Sequence, residues 1–212
     1  MTAAEALVPQ VKIGAIIDFV VSGPGLQTRT VENIRRMYLE EAARPWFYYE
    51  PIVNGIKRAL ASDEPGEVLE PVVNRIDDPA KHAHFRELQG GFLTWVAKAR
   101  PAVVPVGGAV WRGADGEVGI SPHLGLTLGA DPRPHAVLLY LKKPELTQAA
   151  ANIPLWMVER QLPDILPGGR AAILDVRRGK LFRLRANASP KRLDASVAGA
   201  LANFSTIWQA IA

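Results

Sequence analysis

Residues 134–145 read PHAVLLYLKKPE. Six consecutive apolar or aromatic side chains, Ala136 to Leu141, end in Lys142 and Lys143, and Pro144 follows where a helix can open. An apolar run this short, closed by a turn signal, reads as a strand buried inside a sheet, and a strand of that kind needs layers packed over it. The lysines mark its exit to solvent. Lys143 snorkels outward, while Lys142 shares a face with Tyr140 and Leu138, so its ammonium either reaches a cleft or caps the sheet.

The segments on either side differ in character. The first hundred residues read as helical. Residues 11–21 form a short apolar helix closed by Ser22, Gly23, Pro24 and Gly25. Thr28 or Thr30 caps a helix to Ala43 that Arg44 and Pro45 stop, and residues 51–61 carry Ile52, Ile56 and Leu60 on one face. Residues 68–76 fit either state. Asp78 followed by Pro79 starts a helix towards Lys98, weakened in its middle by Gly90 and Gly91. From Pro101 the chain is rich in Val, Leu and Gly. Residues 102–111, 117–128 and 135–142 read as a three-stranded antiparallel meander. Residues 144–162 form a helix kinked at Pro154, residues 171–176 and 180–186 a hairpin around Arg177, Arg178 and Gly179, and Ser189 or Pro190 opens a last helix to Ile211. The expected architecture is therefore α/β: a central mixed sheet of about five strands with flanking helices. It divides into a helical N-terminal segment (1–100) and an α/β core (101–212) within one continuous domain. Trp95, Trp111, Trp156 and Trp208 are read as core anchors.

The chain has 212 residues, 48% of them hydrophobic and 22% charged, which suits a globular fold. It contains no cysteine, which excludes disulfides, thiolate metal sites and cysteine nucleophiles and suits a reducing cytoplasm. Residues 1–10 carry no basic leader region, and residues 11–21 are too short to span a bilayer, so a cytoplasmic, non-membrane protein is expected. Net charge is +4 and the pI about 9.5. The excess is local: Arg170, Arg177, Arg178, Lys180, Arg183, Arg185, Lys191 and Arg192 face one acid, Asp175, within residues 170–192. Such a stretch is either a solvated basic hairpin or a site for phosphate-bearing partners.

Helix, three-stranded meander, helix, strand is the core order of the restriction-endonuclease-like, PD-(D/E)XK, superfamily. The chain resembles it over about residues 78–186, through SPHLGLTLG (121–129), HAVLLYLKK (135–143) and AILDVRRGKLF (172–182). The resemblance implies a domain acting on nucleic acid. Its active members cut with Mg²⁺, held by an acid on the second strand and an acid-x-lysine pair on the third. Residues i and i+2 of a strand share a face, which is why a carboxylate and a lysine are paired that way. Here Tyr140 precedes Lys142 and Leu141 precedes Lys143, and His123 and Thr127 stand nearest the second-strand acid. Glu87, Glu117, Asp131 and Glu145 are the acids that could stand in for the missing carboxylates. Gln148 matches a glutamine of exonuclease-like members, but Asn152 stands where they have tyrosine.

Other motifs are weak. His82 and His84 point apart on a helix, and residues 22–25 lack the lysine of a P-loop. Trp46, Phe47, Tyr48 and Tyr49 form either an aromatic platform for bases or a packing cluster. Gly107 and Gly108 mark a bulge or bend. Three functions remain open. One is DNA or RNA binding without cleavage through Arg177, Arg178, Lys180, Arg183 and Arg185, with Arg183 and Arg185 on one strand face and no cofactor. A second is a protein-interaction or self-associating scaffold with an inert site. The third is an active Mg²⁺ nuclease using Glu117, Asp131 and Lys142.

Overall fold

The computed structural model describes residues 10–40, 46–129 and 131–211, and of Trp46 and Phe47 the backbone alone. The expected helix end at Ala43, the Arg44–Pro45 stop and two members of the aromatic cluster fall outside the described residues or side chains. A short strand, β1 (Val11–Lys12), leads into α1 (Ile13–Ser22) and α2 (Gln27–Leu39). Then come α3 (Trp46–Ala59), α4 (Pro65–Asn74) and α5 (Pro79–Ala99). Residues 68–76, ambiguous in sequence, are thus largely helical. The side chain of Asp78 accepts the Lys81 N–H at 2.9 Å and starts α5 as expected. Gly90 and Gly91 do not interrupt it.

The sheets depart from the expected meander. Five strands replace its first two and third: β2 (Ala102–Val104), β3 (Ala109–Gly113), β4 (Gly116–Ile120), β5 (Leu124–Leu128) and β6 (Asp131–Tyr140). Pro105 and Gly107–Gly108 split the first expected strand, and Ser121–Pro122 the second. Proline donates no ladder hydrogen bond, so each break lets the chain cross between two sheets. β3 and β4 form a hairpin that pairs with β1, in a three-stranded sheet ordered β1-β4-β3. After α6 (Gln148–Glu159) and α7 (Leu162–Ile165) come β7 (Arg170–Asp175), β8 (Lys180–Phe182) and α8 (Pro190–Ala210). Thr147, rather than Pro144, caps α6, its hydroxyl accepting the Ala150 N–H.

The central sheet has five strands, ordered β2-β5-β6-β7-β8. It is mixed: β2, β5 and β6 run antiparallel, β6 and β7 are parallel, and β8 returns antiparallel. Both faces are covered. Ala136, Leu138 and Tyr140 pack with Ala171 and Ile173 beneath α1, α2, α6 and α8. Val137, Leu139 and Leu141 pack with Ala172 and Leu174 beneath α3, α4 and α5. The apolar run of β6 therefore serves two cores by strict alternation. Trp95 and Trp208 are buried, one in each core, while Trp111 and Trp156 lie half-buried at the margin. Among the described residues no helix is long and apolar enough to cross a membrane.

Candidate nucleic-acid interface

Parallel pairing of β6 and β7 places the two strand ends in register, with His135 opposite Arg170 and Tyr140 opposite Asp175. Each end of the pair collects a separate set of charges.

At the carboxyl end, where Lys142 leaves β6, the residues are mutually satisfied. Lys142 Nζ lies 3.2 Å from Asp18 Oδ2 on α1. Burial pushes the Asp18 carboxyl up, and Lys142 offsets part of that. The Tyr140 hydroxyl donates to the Pro144 carbonyl at 2.7 Å, and burial raises its pKa above the ordinary tyrosine range. Asp175 is fully buried and paired with Arg178 Nη1 at 2.9 Å, while Arg178 Nη2 donates to the Lys143 carbonyl at 2.8 Å. Arg177 pairs with Glu87 on α5 and donates to His84 Nδ1 at 2.9 Å. That leaves His84 Nε2–H facing the Tyr49 hydroxyl at 3.3 Å. Lys180 reaches Glu145 at 3.6 Å.

These residues do not fit Mg²⁺. Each carboxylate here has a cationic partner, and a hard cation needs several free oxygens. Among the described residues no group of three or more His, Cys, Asp or Glu side chains is placed to hold a metal ion. His123, at the second-strand position, is committed to the backbone: its Nδ1 accepts the Leu139 N–H at 3.1 Å. The nuclease trio is also dispersed. Asp131 opens β6 and Lys142 lies beyond its far end, about 35 Å away at strand rise. Glu117 sits in the other sheet, held by Arg112 at 3.1 Å. The structure does not bring the three together.

The His123 arrangement has a measurable consequence. Burial lowers its pKa to about 4, so the folded protein holds it neutral, whereas an unfolded chain protonates it near 6.5. The unfolded state then binds more protons between pH 6.5 and 4, and stability falls as pH falls through that window. The expected loss is on the order of 2 kcal/mol. Urea midpoints at pH 7 and pH 4.5 should show it, and His123→Asn, which keeps an acceptor but cannot titrate, should flatten the slope.

At the amino end of the strand pair the arrangement differs. Asp131 accepts from three arginines. Arg170 and Arg183 approach Oδ2 at 3.2 and 3.3 Å, and Arg133 Nε approaches Oδ1 at 3.5 Å. Its carboxyl is held below the usual range, first by the Arg133 backbone N–H and then by the charges of Arg133 and His135, against an opposing effect of burial. His135 is fully buried behind them, with Nε2 3.5 Å from Arg183 Nη1, and burial lowers its pKa. These arginines open onto a cleft of about 290 Å³ lined by Arg133, Arg170, Arg183, Arg185, Trp156 and Glu159.

The five basic residues singled out from sequence therefore do not form one face. Arg177, Arg178 and Lys180 lie at the carboxyl end of β7, each paired with an acid. Arg183 and Arg185 lie at the amino end. β8 stops at Phe182, so Arg183 and Arg185 follow the strand rather than sharing its face, yet both line the cleft. Asp131 is an arginine hub rather than a metal ligand. Sequence reading missed Arg133 and Trp156 and left Arg170 as background. No local sequence signal marks them, because it is the parallel register of β6 and β7 that sets Arg170 opposite His135 and within reach of Asp131. Compared with known proteins, the chain matches no family model, no curated protein sequence and no solved structure.

Proposed function

We propose that the chain is a divergent restriction-endonuclease-like protein that binds nucleic acid without cutting it. The order α5, β2, β5, β6, α6, β7, with three antiparallel strands and a fourth parallel to the third, supports the family reading. Loss of cleavage follows from Tyr140 and His123 standing where carboxylates are needed, the Tyr140 hydroxyl and His123 Nδ1 both being bonded to the protein's own backbone. The observation that carries binding is the cleft at the amino end of β7, where four arginines face two carboxylates. Guanidinium forks are well suited to phosphate oxygens, and such contacts recognise the backbone rather than the bases.

The test is titration of labelled single- and double-stranded DNA and RNA from low to physiological salt, with and without Mg²⁺ or Mn²⁺. If Arg170, Arg183 and Arg185 neutralise three duplex phosphates, log affinity should fall with log salt at a slope near −3. That is roughly 40-fold weaker binding between 50 and 200 mM salt. Replacing both Arg183 and Arg185 by glutamine should make the slope shallower by about two. An affinity that ignores salt contradicts this electrostatic mechanism, and metal-dependent cleavage contradicts the loss of catalysis. No binding under any condition would leave the interaction-protein reading in its place.

A further inference from the structure

The arginine cleft holds more donors than its own carboxylates consume. Arg170, Arg183 and Arg133 each direct a side-chain N–H at Asp131, and every guanidinium carries five. Glu159, across the cleft, has Oε1 occupied by the Ala171 N–H at 2.9 Å. Arg185 adds a fourth positive charge to the lining. Four arginines against Asp131 and Glu159 leave a net charge of two positive, in a space at the lower end of small-ligand clefts.

That charge selects among phosphates. An internal phosphodiester carries a single negative charge. A terminal phosphomonoester carries about 1.5 to 2 negative charges at neutral pH and has three acceptor oxygens. The monoester matches the excess charge and offers the spare N–H groups a third acceptor oxygen within one small volume. Trp156 lines the same cleft, and its indole is fixed because Nε1–H donates to Asp194 Oδ1 at 2.7 Å. The Arg160 guanidinium lies over the ring, 5.8 Å from its centroid, so a base would stack on the opposite side.

We propose that this cleft binds a nucleotide through a terminal phosphomonoester, with Arg170, Arg183 and Arg185 on the phosphate and Trp156 against the base. The inference rests on the nucleic-acid reading and narrows it from the backbone to a phosphorylated end. The same chemistry is offered by a strand terminus and by a free mononucleotide.

The experiment compares one short single-stranded oligonucleotide carrying a 5′-phosphate, a 3′-phosphate or hydroxyls at both ends, with nucleoside monophosphate and nucleoside as competitors. A phosphorylated form is expected to bind about tenfold or more tightly than the hydroxyl form, the worth of one further charge-assisted hydrogen bond. The monophosphate should displace it and the nucleoside should not. Arg185→Gln, at an exposed position, should remove the preference while the protein stays folded, and Trp156→Ala should weaken monophosphate and phosphorylated strand alike. Displacement by monophosphate without any strand preference assigns the cleft to free nucleotides. Equal, salt-sensitive binding of all three oligonucleotides, with no displacement by monophosphate, overturns the inference and leaves backbone binding standing. Absence of all binding removes both.

Discussion

Replacing Arg178 by alanine should cost the protein about 3 kcal/mol at neutral pH, far more than an ordinary surface arginine. The reason lies in its partner. Asp175 ends β7, opposite Tyr140, with no exposure to solvent, and Arg178 supplies its only side-chain hydrogen bonds among the described residues, at 2.9 and 3.3 Å. Removing the guanidinium leaves a carboxylate in an apolar layer, where an uncompensated charge is expensive. It also cuts the link from the turn after β7 to the Lys143 carbonyl. The decisive comparison is the double variant Arg178→Ala/Asp175→Val. With both partners gone and a β-branched residue in the strand, most of the lost stability should return. A double variant no better than the single one in urea denaturation would show that packing of Arg178, rather than its charge, is what matters.

Gly91→Ala should destabilise the fold by about 3 kcal/mol, while Gly90→Ala should leave it unchanged or stabilise it by up to about 1 kcal/mol. Both glycines lie inside α5, and sequence alone treats them as equal weak points. In the fold, a Cβ on Gly91 would lie 2.2 Å from the Val176 carbonyl oxygen and 2.4 Å from that of Arg177. Backbone cannot turn aside as a flexible side chain can, so helix and turn would have to separate. Gly179, at φ 57°, completes the contact, since a Cβ there would come 2.8 Å from the Gly91 carbonyl oxygen. Gly90 faces open space, and alanine there only removes unfolded-state freedom. Thermal unfolding of the two variants side by side should show shifts of opposite sign or very different size. Similar shifts would mean that α5 does not seat on this turn.

The elements that sequence placed well are those whose signals are local. Asp78–Pro79 starts α5 because cap and first-turn geometry depend on neighbours in the chain. The apolar run from Ala136 to Leu141 marks a strand covered on both faces because alternation with no polar side leaves no other arrangement. The α/β architecture follows from these. The three-stranded meander failed because residues 102–111 and 117–128 were each read as one strand, when the breaks at Pro105–Gly108 and Ser121–Pro122 are the points at which the chain changes sheet. Pairing partners are remote in sequence, and no local pattern ranks one sheet above another.

The site was legible only in its residue types. Sequence showed eight cations against Asp175 between residues 170 and 192, and that count described a basic hairpin. Folding brings Glu87 to Arg177 and Glu145 to Lys180, which together with the Asp175–Arg178 pair neutralises the carboxyl end of the strand pair. It also brings Arg133 and Trp156 to the other end, so the surplus charge sits in a cleft the hairpin alone does not contain. Charge is a property of residues and is countable in one dimension. The electrostatic field depends on distances between residues far apart in the chain, and those were set by the parallel register of β6 and β7.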